Sequence, residues 1–441
     1  MSWKITPLSA FLTEREGRIK HTEANDLGLR RVTKIDFSGQ IHLDQSTDTK
    51  TDMIRVRPGD LLISGINAAK GAISVHEDEE DVLATIHYSA YRYDPEQISV
   101  DFLKWFFKSP EFIDLLKQQV SGGIKTELKS KHILPLRLRL PKLREQASIA
   151  TRLNSIQLEQ VKLEQEIAHQ EDLVAKLKQA ILQEAITGRL TAGWRAAQTD
   201  VEPASQLLAR IRAEKARLVA AKKLRPEKPL PPIPASEIPF TIPEGWEWCR
   251  LGSLGYTQTG TTPDTTEPAN FGTHISFVKP ADIDEHGITY DQECLSERGL
   301  NEGRSIEAGS ILMVCIGSST GKVAATDRPV SCNQQINTLT PLADTPVRCV
   351  EYVLKSPYFQ EALWAATKTG ITPIINKGKW SAIPLPLPPL REQTEFVARV
   401  EGLMERCREL EAEIERSRAH AAALLQAVLR EAFAPAASDA A

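Results

Sequence analysis

Two short motifs contain residue types that could bind or process phosphate groups. GSSTGK, from Gly317 to Lys322, is similar to a phosphate-binding loop, but its glycine spacing is one residue short and Val323 takes the place of the magnesium-binding Ser or Thr. Glu127-Leu128-Lys129 is similar to the end of a metal-dependent nuclease motif, but no paired Asp lies at a sensible distance and the second copy described below has Ile, Ile and Asn there. The nine histidines lack the spacing of metal ligands, and no glycine-rich cofactor fingerprint follows a predicted strand. The sequence therefore predicts a chain that is not an enzyme.

Polar and basic loops are the better candidates for a site. Lys and Arg bind phosphates and guanine, whereas Asn and Gln can form two hydrogen bonds with an adenine edge. Five loops are rich in these residues, around Lys70 and at 121–142, 317–322, 333–337 and 368–379. Any single residue among them is explained equally well as part of a solvated turn. Together they predict contact with DNA through Lys70, Lys125, Lys129, Lys131, Lys279, Ser319, Thr320, Lys322, Asn333, Gln334, Gln335, Lys377 and Lys379.

Composition excludes several classes of protein. The 441 residues, 41% hydrophobic and 25% charged, indicate two or three globular domains. The net charge of −4 argues against a uniformly basic nucleic-acid binder, so any such role must come from local patches. No apolar run is long enough to span a bilayer, and the N-terminus shows no signal peptide. Six cysteines without a Cys-x-x-Cys pair argue against a zinc cluster or disulfide scaffold and predict a cytoplasmic location.

The chain contains an internal repeat. KSPEF at 108–112 recurs as KSPYF at 355–359, and LPKLREQ at 140–146 recurs as LPPLREQ at 387–393, both at an offset of 247 residues. Upstream, PGDLLIS and AGSILMV match at an offset of 250, so a small insertion separates the copies. The chain is therefore predicted to hold two copies of one unit, each a mixed domain followed by a helix.

A long helix is predicted after each LREQ, over 143–186 and 390–433. Apolar residues recur at alternating spacings of four and three, which is a heptad seam. Its members are Ile149, Leu153, Ile156, Leu163, Ile167, Val174, Leu177 and Ile181 in the first helix, and Phe396, Val400, Leu403, Cys407, Leu410, Ile414, Ala421, Leu424 and Val428 in the second. A helix of this length with one apolar stripe needs a partner. Pairing the two copies antiparallel is favoured over a homodimer, because both seams agree in phase.

The rest of the chain divides around these helices. Residues 1–142 and 244–389 contain short β-branched stretches broken by Gly, Pro and Asp, with one helix predicted over 100–120, which indicates an α+β class. Residues 188–243 form a helical extension and a proline-rich, stiff connector. Residues 143–187 and 390–433 are the helices, and 434–441 are predicted to be a disordered tail.

These motifs together resemble the specificity subunit of type I restriction-modification systems. The resemblance rests on the two KSPxF and two LPxLREQ strings, AITGRLT at 185–191 and IPEGWEWCRLGSL at 242–254, and it extends over essentially the full length. The first copy departs from the pattern, since it opens with SWKITPLSAF and lacks the PEGW start, which leaves the extent of the first domain open.

The resemblance implies a division of labour among subunits. Each globular half would be a target recognition domain that reads one part of a split double-stranded DNA sequence. The helices would form a spacer and dock two methyltransferase subunits, and restriction–translocase subunits would complete the enzyme. S-adenosylmethionine, ATP and magnesium would bind to those partners, and this chain would need no cofactor. The alternative from the residues is a non-enzymatic coiled-coil adaptor that joins two protein-binding modules.

Overall fold

The computed structural model describes residues 3–44, 50–119, 128–368, 370 and 372–433. The chain divides into two compact units, residues 1–170 with 413–441, and residues 171–412. The first unit contains the N-terminal globular half, and the second contains the C-terminal globular half with the segment that precedes it. Lys125, Glu127 and the predicted disordered tail at 434–441 lie outside the described residues.

The N-terminal half is a mixed domain of short strands and helices. Its strands are β1 Lys4–Pro7, β2 Leu12–Glu14, β3 Arg18–Ile19, β4 Arg31–Ile35, β5 Ile41–Asp44, β6 Met53–Val56, β7 Leu61–Ser64, β8 Ile73–Val75, β9 Val82–Thr85, β10 Tyr88–Tyr93 and β11 Arg137–Leu140. Its helices are α1 His21–Asp26, α2 Val100–Lys108, α3 Pro110–Gln119 and α4 Ser130–Ile133. Helix α5, Leu143–Ile186, follows, and then come α6 Ala192–Ala196 and α7 Ala204–Ala220.

The C-terminal half has the same kind of composition. Its strands are β12 Glu247–Arg250, β13 Gly255–Thr259, β14 Phe271–Val278, β15 Cys294–Leu295, β16 Ile311–Val314, β17 Val323–Ala325, β18 Ser331–Cys332, β19 Ile336–Pro341 and β20 Pro384–Leu387. Its helices are α8 Glu297–Glu302, α9 Val347–Lys355, α10 Pro357–Ala366 and α11 Lys377–Ser381. Helix α12, Leu390–Phe433, ends the described chain.

Sheet topology confirms the internal repeat. The N-terminal half has a four-stranded sheet in the order β2-β10-β7-β8, and the C-terminal half has one in the order β13-β19-β16-β17. All neighbours in both sheets are antiparallel. A two-stranded ribbon precedes each long helix, β1 with β11 and β12 with β20. Equivalent segments of the sequence therefore build equivalent strands, as the repeated strings predicted.

The two halves differ in their second sheet. In the N-terminal half this sheet has five strands in the order β3-β6-β9-β4-β5, whereas in the C-terminal half it has three in the order β15-β14-β18. The strands of the second sheet lie on both sides of the hairpin in sequence, since β9 follows β7–β8 and β18 follows β16–β17. The shared sheet is thus the common scaffold, and the second sheet is what distinguishes the halves.

The two long helices have the predicted bounds and pack antiparallel within each unit. In the first unit, Leu153 near the start of α5 shares a core with Phe433 at the end of α12. In the second unit, Lys178 near the end of α5 contacts Glu411 in the first half of α12, with Nζ 2.5 Å from Oε1. The antiparallel coiled coil expected from the sequence is confirmed.

Only half of the predicted heptad seam is buried. The buried side chains recur every seven residues, at Leu153, Ile167, Val174 and Ile181 in α5 and at Val400, Cys407 and Ile414 in α12. Phe396 is buried as well, whereas four other seam leucines are exposed, at 43% for Leu163, 44% for Leu177, 47% for Leu410 and 63% for Leu424. The remaining seam residues, Ile149, Ile156, Leu403, Ala421 and Val428, are half-buried. The apolar stripe is therefore wider than the surface that the two helices cover on each other.

The single helix predicted over 100–120 is broken at Ser109. Pro110 has no N–H to continue the helix and forces Ser109 into an extended conformation, with φ −77° and ψ 153°. Oγ of Ser109 donates to Phe106 O at 2.7 Å and accepts from Phe112 N at 3.3 Å. Ser356 does the same between α9 and α10, where Oγ donates to Val353 O at 2.6 Å and accepts from Phe359 N at 3.3 Å. The repeated Ser-Pro is therefore the joint of a two-helix corner.

The segment before the C-terminal half is extended, as predicted for its prolines, and it packs on that half. Leu207 and Ile211 of α7 are buried. Arg250 holds the proline-rich stretch, since Nε donates to Pro231 O at 3.1 Å and Nη2 donates to Pro232 O at 2.7 Å. Residues 204–240 are thus a strap bound to the C-terminal half, which a composition-based boundary at 244 does not anticipate.

The cysteines are not paired with one another. Each of the six cysteines is a free thiol, and five of them are buried. Among the described residues, the long helices and all others fall short of the length and apolarity that a bilayer-crossing helix requires.

Candidate nucleic-acid interface

The Gly317–Lys322 motif forms the turn of a β-hairpin. The turn connects β16 to the antiparallel β17, and Gly317 and Gly321 have φ values of 100° and 101° that suit glycine. Gly321 N donates to Val314 O at 3.0 Å, which closes the turn. A phosphate-binding loop leads from a strand into a helix N-terminus, and this turn leads back into the same sheet. The turn therefore lacks the helix dipole and the fan of amides that would bind a nucleotide phosphate.

Three of the predicted polar contacts shape the loops around this hairpin. Thr320 is 7% exposed, and its Oγ1 donates to Gly317 O at 2.7 Å. Asn333 is 9% exposed, and its Nδ2 donates to Gln335 Oε1 at 2.9 Å. Gln335 in turn donates from Nε2 to Ile316 O at 3.3 Å. These internal hydrogen bonds hold the hairpin turn against the start of β19, and direct contact of the three side chains with DNA stays a prediction.

Gln334 points outward from the same loop. It is exposed, and its Oε1 accepts a hydrogen bond from the Thr262 hydroxyl. Ser319, at the tip of the hairpin turn, is half-buried. Gln334 and Ser319 thus stay candidates for contact with a ligand on this edge of the four-stranded sheet.

Lys322 lies on a different surface from Gln334. It lines a cavity of about 610 Å³ together with Lys178, Tyr352 and Arg408. Other cations of this cavity are paired, because Lys355 Nζ lies 2.7 Å from Glu351 and Lys178 Nζ lies 2.5 Å from Glu411. Lys322, the residue just before β17, therefore lines a cavity with residues of α9 and the long helices, whereas Asn333, Gln334 and Gln335 are not among the residues that line it. Its contact with DNA stays a prediction.

The remaining lysines of the C-terminal half fall into two kinds. Lys279 forms an ion pair with Glu293. Lys377 donates from Nζ to Thr257 O at 3.2 Å and lies 3.7 Å from Glu227 of the strap, so its charge is partly neutralised. Lys379 is exposed on α11. Of the three, Lys379 is the one whose ammonium group is best placed for an outside partner.

In the N-terminal half the predicted lysines lie around the corresponding hairpin. Lys70 is exposed at the β7–β8 turn, with its Nζ 5.5 Å from the centre of the Phe37 ring. Lys129 and Lys131 are exposed around α4. Lys125 lies outside the described residues, so its predicted contact stays a prediction.

The same backbone hydrogen bond brings hairpin and short helix together in both halves. Leu128 N donates to Gly65 O at 2.9 Å, and Ile375 N donates to Cys315 O at 2.9 Å. Gly65 and Cys315 each directly follow a strand of the shared sheet, β7 and β16, and Leu128 and Ile375 each precede a short helix. The loops that the sequence grouped by composition are therefore joined in space, once in each half.

Sequence reasoning missed one basic residue on this surface. Arg304 follows α8, is exposed, and donates from Nη1 to Thr259 O at 2.8 Å. Thr259 ends β13, just before the loop whose Thr262 contacts Gln334 on the β18–β19 loop. No sequence signal marked Arg304, because it stands alone between acidic residues and belongs to the second sheet region, where the repeat does not align.

Metal ligands are not assembled here. Within the described parts of the chain, no three or more His, Cys, Asp or Glu side chains are grouped as a metal site would require. The site thus consists of hydrogen-bond donors and acceptors on loops, with a few cations. Such a surface can bind an anionic, hydrogen-bonding ligand.

The fold and these loops define a class of protein. It is a binding protein with an internal duplication, in which two similar mixed domains are combined with an antiparallel coiled coil. Residues 243–417 match the family model of the type I restriction modification DNA specificity domain. The EcoAI type I specificity subunit of Escherichia coli is 26% identical over 435 residues, which cover 86% of this chain and 72% of that protein.

Solved structures share the fold. One match is a solved structure that describes complex assembly and conformational transition of the type I R-M system. It has a TM-score of 0.70 at 17% identity, over 98% of this chain and 97% of the other. The HsdS subunit from Thermoanaerobacter tengcongensis matches with a TM-score of 0.53 at 17% identity, over 98% and 96% of the two chains. Residues 243–417 therefore match the type I DNA specificity domain, and the chain as a whole is similar to type I specificity subunits, the family that its motifs resemble. This favours DNA recognition over the adaptor alternative.

Proposed function

We propose that this chain is the non-catalytic subunit that recognises a bipartite DNA target for a type I restriction-modification enzyme, with each globular half reading one half-site. The observation that carries the proposal is the duplicated pairing of hairpin and short helix, through Gly65 with Leu128 and Cys315 with Ile375. Two copies of one binding device suit a target with two parts, just as dimeric DNA-binding proteins match two half-sites.

The two halves would read different bases. Their shared sheets are alike, but the second sheets have five and three strands, and the residues on the corresponding loops differ. The C-terminal half presents Gln334 and Lys379, whereas the N-terminal half presents Lys70, Lys129 and Lys131. A common scaffold with different side chains supports an asymmetric target.

The long helices would set the spacing between half-sites and dock two methyltransferase subunits. The exposed half of the heptad seam supports this role, because Leu163, Leu177, Leu410 and Leu424 present apolar surface that the helix pair leaves uncovered. A surface of regularly spaced leucines on a helix is suited to another helix or an apolar groove.

Catalysis would belong to the partners. We propose that methyltransferase subunits bind S-adenosylmethionine and that restriction–translocase subunits bind ATP and magnesium. The described residues of this chain offer donors and cations on loops and no grouped metal ligands, which supports a recognition role.

The proposal is tested by sequencing methylated bases in the host genome with the system intact and with this chain deleted. A two-part methylated motif that disappears on deletion supports it. A salt titration of DNA binding by the complex with its methyltransferase subunits should show a steep loss of affinity, because phosphate neutralisation releases counterions. No methylated motif and no DNA binding at any salt concentration would instead favour the adaptor function.

A further inference from the structure

The loop between β13 and β14 is held tightly against the β18–β19 loop. Gly260 N donates to Ile336 O at 2.9 Å, and Thr261 N donates to Cys332 O at 2.9 Å. The approach is so close that a Cβ atom on Gly260 would lie 2.2 Å from Asn333 O, so only glycine fits. Side chains carried by these two loops are therefore fixed relative to each other.

Two hydrogen-bond donors emerge at this junction. Arg304 is anchored by the bond from its Nη1 to Thr259 O at 2.8 Å. Gln334 is anchored by the Thr262 hydroxyl, which donates to Oε1 and leaves the amide NH₂ of Gln334 as its outward group. Both side chains are exposed. An anchored guanidinium loses little conformational entropy when it binds, which makes it a preorganised donor.

Neighbouring carboxylates do not neutralise Arg304. Glu302, two residues before it, instead accepts through Oε2 from Asn270 Nδ2 at 3.0 Å and from Asp264 N at 3.4 Å. Other cations of the same half are paired, such as Arg298 with Glu267 at 3.5 Å and Lys279 with Glu293. Arg304 forms no ion pair within the part of the chain that the structure describes.

We propose that Arg304 reads a guanine in the half-site of the C-terminal domain, with Gln334 beside it. The inference rests on the proposed function and deepens it. Arg304 offers only donors, and Gln334 offers its donors outward, so the matching edge must present acceptors. In the major groove guanine presents two acceptors, N7 and O6, whereas adenine presents one acceptor and one donor. Arg304 and Gln334 therefore act as specificity-determining residues.

The test combines a protein change with a change in the base. Binding of the complex with its methyltransferase subunits is measured on duplexes of the methylated motif in which each guanine of one half-site is replaced in turn by 7-deazaguanine, which lacks the N7 acceptor. For the wild type, we expect one such position to weaken binding up to about tenfold, because losing the N7 acceptor breaks one of the two hydrogen bonds of a bidentate contact. For Arg304→Lys, which keeps the charge but not the fork of donors, binding to the unmodified duplex should fall by a similar factor, and the same base change should cost nothing further.

Arg298→Ala is the matched control, because it removes an exposed but paired arginine from the adjacent helix, and it should keep the wild-type pattern. Arg304→Lys with an undiminished 7-deazaguanine effect at every position would overturn the inference. So would Arg304→Ala weakening all sequences equally with a shallower salt dependence, since that result indicates a phosphate contact. In both cases specific binding by the wild type leaves the proposed function intact, whereas its absence contradicts the proposed function itself.

Discussion

Glu392 accepts a hydrogen bond from Nε1 of Trp246 at 2.9 Å. The same carboxylate accepts from Oγ1 of Thr191 at 2.6 Å and forms an ion pair with Arg195. Glu392 is 1% exposed and belongs to the LREQ motif, Trp246 belongs to PEGW, and Thr191 ends AITGRLT. Three separate sequence motifs therefore meet at one buried carboxylate, which ties the end of α5 and the start of the C-terminal half to the start of α12.

Replacing Glu392 with Ala should strongly destabilise the second unit. The change leaves the indole N–H and the hydroxyl without their acceptor and removes the partner of Arg195. Breaking a buried pair of this kind costs about 3–5 kcal/mol. Urea unfolding followed by tryptophan fluorescence measures the loss.

Glu145 supplies the matched control for this change. It occupies the equivalent position of the first LREQ but is exposed, and its Oε2 only accepts from Lys142 N at 3.2 Å. Glu145→Ala should cost about 1 kcal/mol, as for loss of a helix cap. Equal losses in the free energy of unfolding for the two variants would contradict this. They would show that the contacts of Glu392 with Trp246, Thr191 and Arg195 add no stability beyond that of a helix cap.

The two classes of seam residue should respond differently to truncation. Ile181 is 6% exposed, so Ile181→Ala should cost about 2–5 kcal/mol in the free energy of unfolding. Leu177 on the same helix is 44% exposed, so Leu177→Ala should leave stability nearly unchanged. If the exposed leucines dock a methyltransferase subunit, Leu177→Ala should weaken that assembly in size-exclusion chromatography. Full assembly by Leu177→Ala, Leu410→Ala and Leu424→Ala variants would contradict the docking role.

The sequence predicted the large features of this fold because they rest on simple periodicity. Duplicated strings located both copies, and the helices begin at Leu143 and Leu390 as predicted. The sequence does not distinguish the buried seam residues from the exposed ones, since both sets are apolar residues at heptad spacing. Which half packs depends on the local geometry of two helices, and this is not encoded by spacing alone.

Loop residues were predicted less well for a related reason. Asn333, Gln335 and Thr320 have the residue types of DNA contacts, yet the same donors and acceptors close their own turns. Arg304 was missed because its anchor, the carbonyl of Thr259, is brought to it only by the tertiary fold. The residue type determines which hydrogen bonds a side chain can form. The fold determines whether the side chain forms them within the protein or can offer them to a ligand.

The two Ser-Pro corners should be equally sensitive to loss of the serine hydroxyl. Ser356→Ala removes the acceptor for Phe359 N and the donor to Val353 O at a fully buried position, so we expect a loss of about 1–2 kcal/mol. Ser205→Ala, on the exposed face of α7, should change stability by less than about 0.5 kcal/mol. Thermal unfolding compares them. An unchanged melting temperature for Ser356→Ala would mean that the proline alone makes the corner.

The purified chain alone should neither methylate nor cleave DNA. The hairpin turn at Gly317–Lys322 lacks the helix of a nucleotide site, and we propose that all cofactors bind to partner subunits. The measurement is transfer of labelled methyl groups and nicking of plasmid DNA, with S-adenosylmethionine, ATP and magnesium supplied. The complex with its methyltransferase subunits serves as the positive control for methylation. Methyl transfer or cleavage by the chain free of partners would contradict the division of labour.

We propose that the paired helices set the distance between two base-reading domains. Their junction around Gly188 is unsuitable for an insertion, because a Cβ there would lie 2.4 Å from Pro243 and Thr191 beside it is buried. Inserting seven residues in both helices, after Gln170 and after Arg418, keeps the seven-residue spacing of the buried seam and lengthens each helix by about 10 Å. At about 3.4 Å per base pair, methylome sequencing should find a spacer longer by about three base pairs with both half-sites unchanged. The same insertion in α5 alone should abolish activity, since the seams no longer match. An unchanged spacer in the variant with both helices extended would contradict the proposal that the helices set the distance between the half-sites.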